Sequence, residues 1–147
     1  MMRERVRDWR TRLVEWAALQ VGQPFAWGKT DCATLARSAL RECFGEDVAP
    51  EVPTWSTKKE AMRVLKQHQP LQILESLGAE QKSIAFARAG DIVSLPSDDA
   101  GELALGVWID GACLVSSKKA GVQLVPAADM PRDCIAYSLW EIQATDG

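Results

Sequence analysis

The hydrophobic periodicity of this 147-residue chain changes once, near Ile84, and that change bounds what it can fold into. Before it, apolar residues recur at steps of three and four; after it, short β-prone runs are separated by turn residues. Val6, Trp9, Leu13, Trp16 and Gln20 predict one face of a helix from Arg3 to about Val21, ended by Gly22 and Pro24. Cys32, Leu35, Ala36, Ala39, Leu40 and Cys43 make the inward face of a second helix, with Asp31 as its N-cap and Gly45 as a left-handed stop. After the stiff loop around Pro50 and Pro53, Thr57-Lys58-Lys59-Glu60 reads as a capping box opening a short helix through Ala61 and Leu65. Pro70 interrupts it, and LQILESLG forms another brief helix ending at Gly78. Residues 57–78 are therefore expected to be a helical insertion, a lid or a flank.

Beyond Ile84 the runs Asp91–Leu95, Leu103–Ile109, Ala112–Ser116 and Val122–Pro126 predict strands, with Asp110-Gly111 as a hairpin turn. Ile135–Ile142 predicts one more. Helices first and antiparallel strands second predict a single α+β domain over residues 1–147, its sheet packed on the Cys32 helix.

Composition narrows the partners. A net charge of −3, with both signs mixed along the chain, argues against nucleic acid. Arg3, Arg5, Arg7, Arg10 and Arg12 cluster at the start, but Glu4, Asp8 and Glu15 interleave, so a solvated helix face is expected. No apolar run approaches the roughly 20 residues of a membrane span. MMRERVRDWR has no apolar stretch behind it, so neither a secretory signal nor a membrane anchor is expected, and folding is expected in a cytoplasm. Six tryptophans predict a core or interfaces rich in aromatic area. Cys32, Cys43, Cys113 and Cys134 contain no C-x-x-C pair, which gives little support to zinc, redox or iron–sulfur chemistry; no metal and no cofactor are expected. Three of these cysteines read as small buried hydrophobes. Cys32 is the exception.

A cysteine in the first turn of a helix meets positive partial charge and unbonded N–H groups, which favour thiolate and predict a somewhat acidic thiol. The same N–H groups can bind an oxyanion. A cysteine hydrolase still needs a base, and histidine suits that role near neutrality. The only histidine is His68, in Lys66-Gln67-His68-Gln69, and it reads as a surface residue at a helix end. Asp91 is a poorer match as a base and reads as a strand start that hydrogen-bonds in a turn.

Pro24-Phe25-Ala26-Trp27-Gly28-Lys29-Thr30-Asp31-Cys32 resembles the nucleophile region of the NlpC-type papain-like cysteine peptidases. Ala89-Gly90-Asp91-Ile92-Val93 is similar to that family's Gly-Asp strand opening, and Ala104-Leu105-Gly106-Val107-Trp108-Ile109 to the strand that carries its histidine. The resemblance implies a papain-like fold, with Cys32 in the nucleophile position and Ser116 near the place of the third, orienting residue. It also implies that the histidine position is Ala104, which cannot accept a proton. The whole chain further resembles a family of small tailed-phage and prophage proteins, through Trp27-Gly28, Asp31-Cys32, Phe44-Gly45-Glu46-Asp47, Gly90-Asp91-Ile92-Val93, Leu105-Gly106-Val107 and Trp140. That resemblance implies a non-catalytic structural component of a phage tail tip or hub, or a tail assembly factor. It would be assembled in the host cytoplasm, reside in the virion, and contact other tail proteins in several copies. The alternative is a cysteine peptidase or amidase acting on peptidoglycan during infection.

Overall fold

The computed structural model describes residues 2–96 and 104–143. The chain opens with a short strand, β1 (Met2–Glu4), and only then enters α1 (Trp9–Gln20). The helix predicted from Arg3 thus begins six residues later. Its first residues are diverted because β1 pairs antiparallel with a C-terminal strand, while Val6 donates its N–H to the Cys43 carbonyl. The expected face is otherwise present, with Leu13 and Trp16 buried.

α2 (Cys32–Phe44) forms as its pattern predicts. Asp31 accepts the Thr34 N–H at the N-terminus, and Gly45 closes the helix at φ +79°, a left-handed conformation that glycine adopts without Cβ strain. α3 (Lys58–Gln67) starts at the Thr57 cap, whose hydroxyl accepts the Glu60 N–H, and α4 (Pro70–Ser76) carries Pro70 in its first turn.

The strands that follow are β2 (Glu80–Ser83), β3 (Ile92–Ser94), β4 (Leu105–Trp108), β5 (Ala112–Ser117), β6 (Gly121–Pro126), β7 (Ile135–Ser138) and β8 (Glu141–Gln143). Six of them form an antiparallel sheet in the order β2-β7-β3-β4-β5-β6; β1 and β8 make a separate two-stranded ribbon. β2 carries no apolar alternation because it is an edge strand, mostly exposed, so nothing in its sequence marked it. The single strand predicted over Ile135–Ile142 is two strands in different sheets. Between them the Leu139 carbonyl is taken by Arg5 Nε at 2.9 Å instead of a strand partner. Leu103, the predicted start of β4, lies outside the described residues.

Sheet alternation separates two apolar layers. Ile92, Val107 and Leu114 face α1 and α2 in the main core, with Leu13, Ala39 and Leu40 opposite them. Val93, Trp108 and Cys113 point to the other face, where Met130 and Cys134 cover them. The architecture is α+β, as the periodicity requires, with the Cys32 helix lying against the sheet.

Candidate functional site

The start of α2 is set by one carboxylate. Asp31, 3% exposed, accepts the Gly28 N–H (2.6 Å), the Thr34 N–H (2.9 Å), the Thr34 hydroxyl (2.8 Å) and the Trp55 indole N–H (3.0 Å). Gly28 sits at φ +79°, and a Cβ there would lie 1.9 Å from the Trp55 carbonyl oxygen, so only glycine permits this approach. Upstream, Thr30 Oγ1 accepts the Ala26 N–H and donates to the Pro24 carbonyl, both at 2.8 Å. Phe25 and Trp27 pack edge to face at 5.0 Å. The Gly/Pro/aromatic loop is thereby fixed on the helix N-terminus.

Cys32 follows as the first residue of α2, half-buried on the wall of a cleft of about 890 Å³. Ala104 and Ser116 line the same cleft. The β4–β5 register sets Gly106 opposite Val115, which brings the Ala104 end of β4 alongside Ser116. The three positions singled out in the sequence are therefore brought together. The Ser116 hydroxyl is buried and has no hydrogen-bond partner among the described residues.

The thiol departs from expectation. Burial pushes the Cys32 thiol up, and the neighbouring Asp31 carboxylate adds to the rise; the N–H groups of Leu105, Ala33 and Cys32 itself pull the other way and lose. The helix-start argument counted only the N–H groups, and missed the cost of desolvating a thiolate beside a buried carboxylate. All four cysteines are thiols.

Neither alternative base lines this cleft. Asp91 is fully buried at the start of β3, where it accepts the Arg88 N–H at 2.8 Å and the Ser138 hydroxyl, and pairs with Lys82 at 3.1 Å. His68 stands at a helix end as expected, at the C-cap of α3, and is half-buried; it lines a separate apolar cavity of about 70 Å³ between α2, α3 and α4. Among the described residues, the ionisable side chains on the cleft besides Cys32 are Asp31, Lys66, Lys118 and Lys119.

The 57–78 segment forms a wall of the cleft through Met62, Leu65, Lys66 and Leu71. Sequence reasoning missed Trp55, which ties the loop before α3 to Asp31, and Lys118, whose ammonium lies 5.6 Å from the Trp27 ring centre. An isolated tryptophan in a proline-rich loop carries no signal for such a bond.

No curated protein matches the chain. Among solved structures it is similar to the NlpC/p60 domain of the peptidoglycan hydrolase SagA, with a TM-score of 0.55 and 17% identity, covering 88% of this chain and 98% of that one. At that identity the likeness is one of fold, and the fold is the papain-like one that the Asp31-Cys32 region resembles. The family described as "Domain of unknown function (DUF6950)" matches residues 4–133, and the chain belongs to it.

Proposed function

We propose that this chain is an NlpC/p60-fold domain that retains the cleft without its proton-transfer chemistry, and that it serves as a structural component or assembly factor of a bacteriophage tail tip. The observation that carries the non-catalytic half is Ala104 on the cleft wall shared with Cys32, a methyl group at the position that the family resemblance assigns to the base. The raised thiol supports it, because a cysteine nucleophile works as thiolate. The tail assignment is supported by the ordered motifs from Trp27-Gly28 to Trp140 and by the tryptophan content, which suits protein interfaces. Its partners on this reading are other tail-tip or hub proteins, with the chain resident in the virion.

A second reading, a cysteine peptidase or amidase on peptidoglycan, is favoured by the retention of Cys32 at a helix start on an open cleft. Two experiments separate them. Purified chain incubated with peptidoglycan fragments is expected to release nothing detectable by mass spectrometry; release that disappears in Cys32→Ala overturns the first reading. Deleting the gene from its host phage is expected to give particles with missing or defective tails. Normal tails, together with absence of the chain from wild-type particles, would remove the tail assignment.

A further inference from the structure

Outside the cleft, three guanidinium groups converge on two indoles. The Arg5 Cζ lies 4.3 Å from the Trp9 ring centre and 4.2 Å from that of Trp140. Arg88 stands 4.9 Å from Trp140 and Arg10 stands 5.1 Å from Trp9, while the two rings meet edge to face at 5.7 Å. Cation–π contacts hold such groups in place but do not neutralise them. Among the described residues, the salt bridges engage Arg3, Arg12, Arg37 and Lys82, and none reaches Arg5, Arg10 or Arg88. Arg5 Nη2 is buried with no acceptor. Asp91 does act on Arg5 electrostatically, yet its carboxylate is occupied by Lys82, Ser138 and the Arg88 N–H. Burial lowers the Arg5 pKa, and Arg88 and Arg10 lower it further, as expected for crowded like charges.

The cluster reaches the surface. Arg10 and Arg88 are exposed and Trp140 is 38% exposed. Glu4 and Glu141 are cross-strand partners in the β1–β8 ribbon. Alternation puts them on the face opposite buried Ile142. Arginine and tryptophan gathered in this way make the composition of an interface centre.

We propose that this arginine–tryptophan cluster is a docking surface for an acidic segment of a partner protein, whose carboxylates engage Arg10 and Arg88 while its apolar side chains cover Trp140. A carboxylate would supply a counter-charge that no salt bridge among the described residues gives Arg10 or Arg88, in a geometry the guanidinium fork matches. A nucleic-acid backbone fits less well. Among the described residues the cluster sets three guanidinium groups around two rings, not a stripe that a long polyanion could follow. The inference rests on the proposed function only in taking the partner for a protein.

The test uses the full chain, labelled with nitrogen-15, and a hexapeptide of alternating glutamate and leucine, with its glutamine counterpart and a short oligodeoxythymidylate as comparisons. The indole resonances of Trp9 and Trp140 are expected to shift saturably with the glutamate peptide, with affinity about fivefold tighter than for the glutamine peptide. The Arg10→Ala/Arg88→Ala double variant, which trims exposed side chains only, is expected to weaken binding about fivefold while the Trp16 and Trp108 resonances stay in place. The proposal is overturned by an absence of shift, by equal affinity for both peptides, by tighter binding of the oligonucleotide, or by shifts confined to Trp27 at the cleft. The experiment is blind to catalysis and to virion location, so its failure leaves the tail reading standing on its own tests.

Discussion

The indole N–H of Trp55 donates to Asp31 Oδ2 across 3.0 Å, joining residues 24 apart in the chain and fixing the loop before α3 to the start of α2. The same oxygen accepts from Gly28 and from the Thr34 hydroxyl, so removing the carboxylate strands several buried donors at once. Asp31→Ala is expected to cost about 3 kcal/mol, combining a lost N-cap with unsatisfied N–H groups. Trp55→Phe should cost about 1 kcal/mol. Urea unfolding of both single variants and the double variant checks this. Losses that simply add would show that the two side chains are not coupled.

Arg5 supplies a contrast between a buried arginine and an ordinary one. Its Nε and Nη1 donate to the Leu139 and Ala89 carbonyls at 2.9 and 3.1 Å while its plane lies against two indoles. Arg5→Lys is expected to lose nearly as much as Arg5→Ala, about 2 kcal/mol, because an ammonium cannot reach both carbonyls and stack as well. Arg12, paired with Glu42 at 3.2 Å near the surface, should lose about 0.5 kcal/mol on substitution by alanine. Thermal unfolding of the three variants decides it, and equal losses for Arg5→Ala and Arg12→Ala would refute the clasp.

What the sequence revealed, and what it hid, follows from whether a signal was local. α2 was legible throughout, because Asp31, the apolar spacing and Gly45 all lie within its own length. The Thr57 cap and the Asp110-Gly111 turn were legible for the same reason. Arg5 was misread because its partners, Ala89 and Leu139, lie far along the chain, and no periodicity encodes them. β1 escaped notice, and the break that separates β8 from β7 went unread, on similar grounds, since β1 and β8 are strands only through each other. The candidate site shows the same division: Cys32 announces itself by placement, whereas its raised thiol depends on how deeply the assembled fold buries it.

Buried thiols also set an alkaline limit to stability. Burial pushes Cys43 up to about 11 and Cys113 up to about 12, well above the ordinary thiol range. In the unfolded chain these thiols ionise first, so between the ordinary value and the folded ones the native state binds more protons than the unfolded state. Stability is therefore full below the ordinary thiol value and falls as pH rises through this window, by up to about 1.4 kcal/mol per pH unit for each thiol. Cys113→Ala and Cys43→Ala should each flatten that fall while lowering stability at neutral pH through the lost packing. Urea midpoints from pH 7 to 10.5 measure both effects; an unchanged alkaline slope in the two variants would assign it to other groups.

Restoring an imidazole at position 104 tests the heart of the functional reading. Ala104→His would put the ring on the wall that carries Cys32 and the buried Ser116 hydroxyl, which has an unused lone pair for a ring N–H. A protonated imidazole favours the neighbouring thiolate, opposing the burial that now pushes Cys32 up. Alkylation of Cys32 by iodoacetamide at pH 7 is expected to quicken about tenfold, with the rate–pH curve gaining an inflection below the ordinary thiol range. Adding Ser116→Ala should return part of that gain, because the ring loses its orienting partner. Peptide mapping locates the label, and Cys43 and Cys113 serve as buried controls that stay unmodified in the folded protein. A rate unchanged by the histidine would mean that residue 104 does not face the thiol, and Ala104 could then no longer carry the proposed non-catalytic reading.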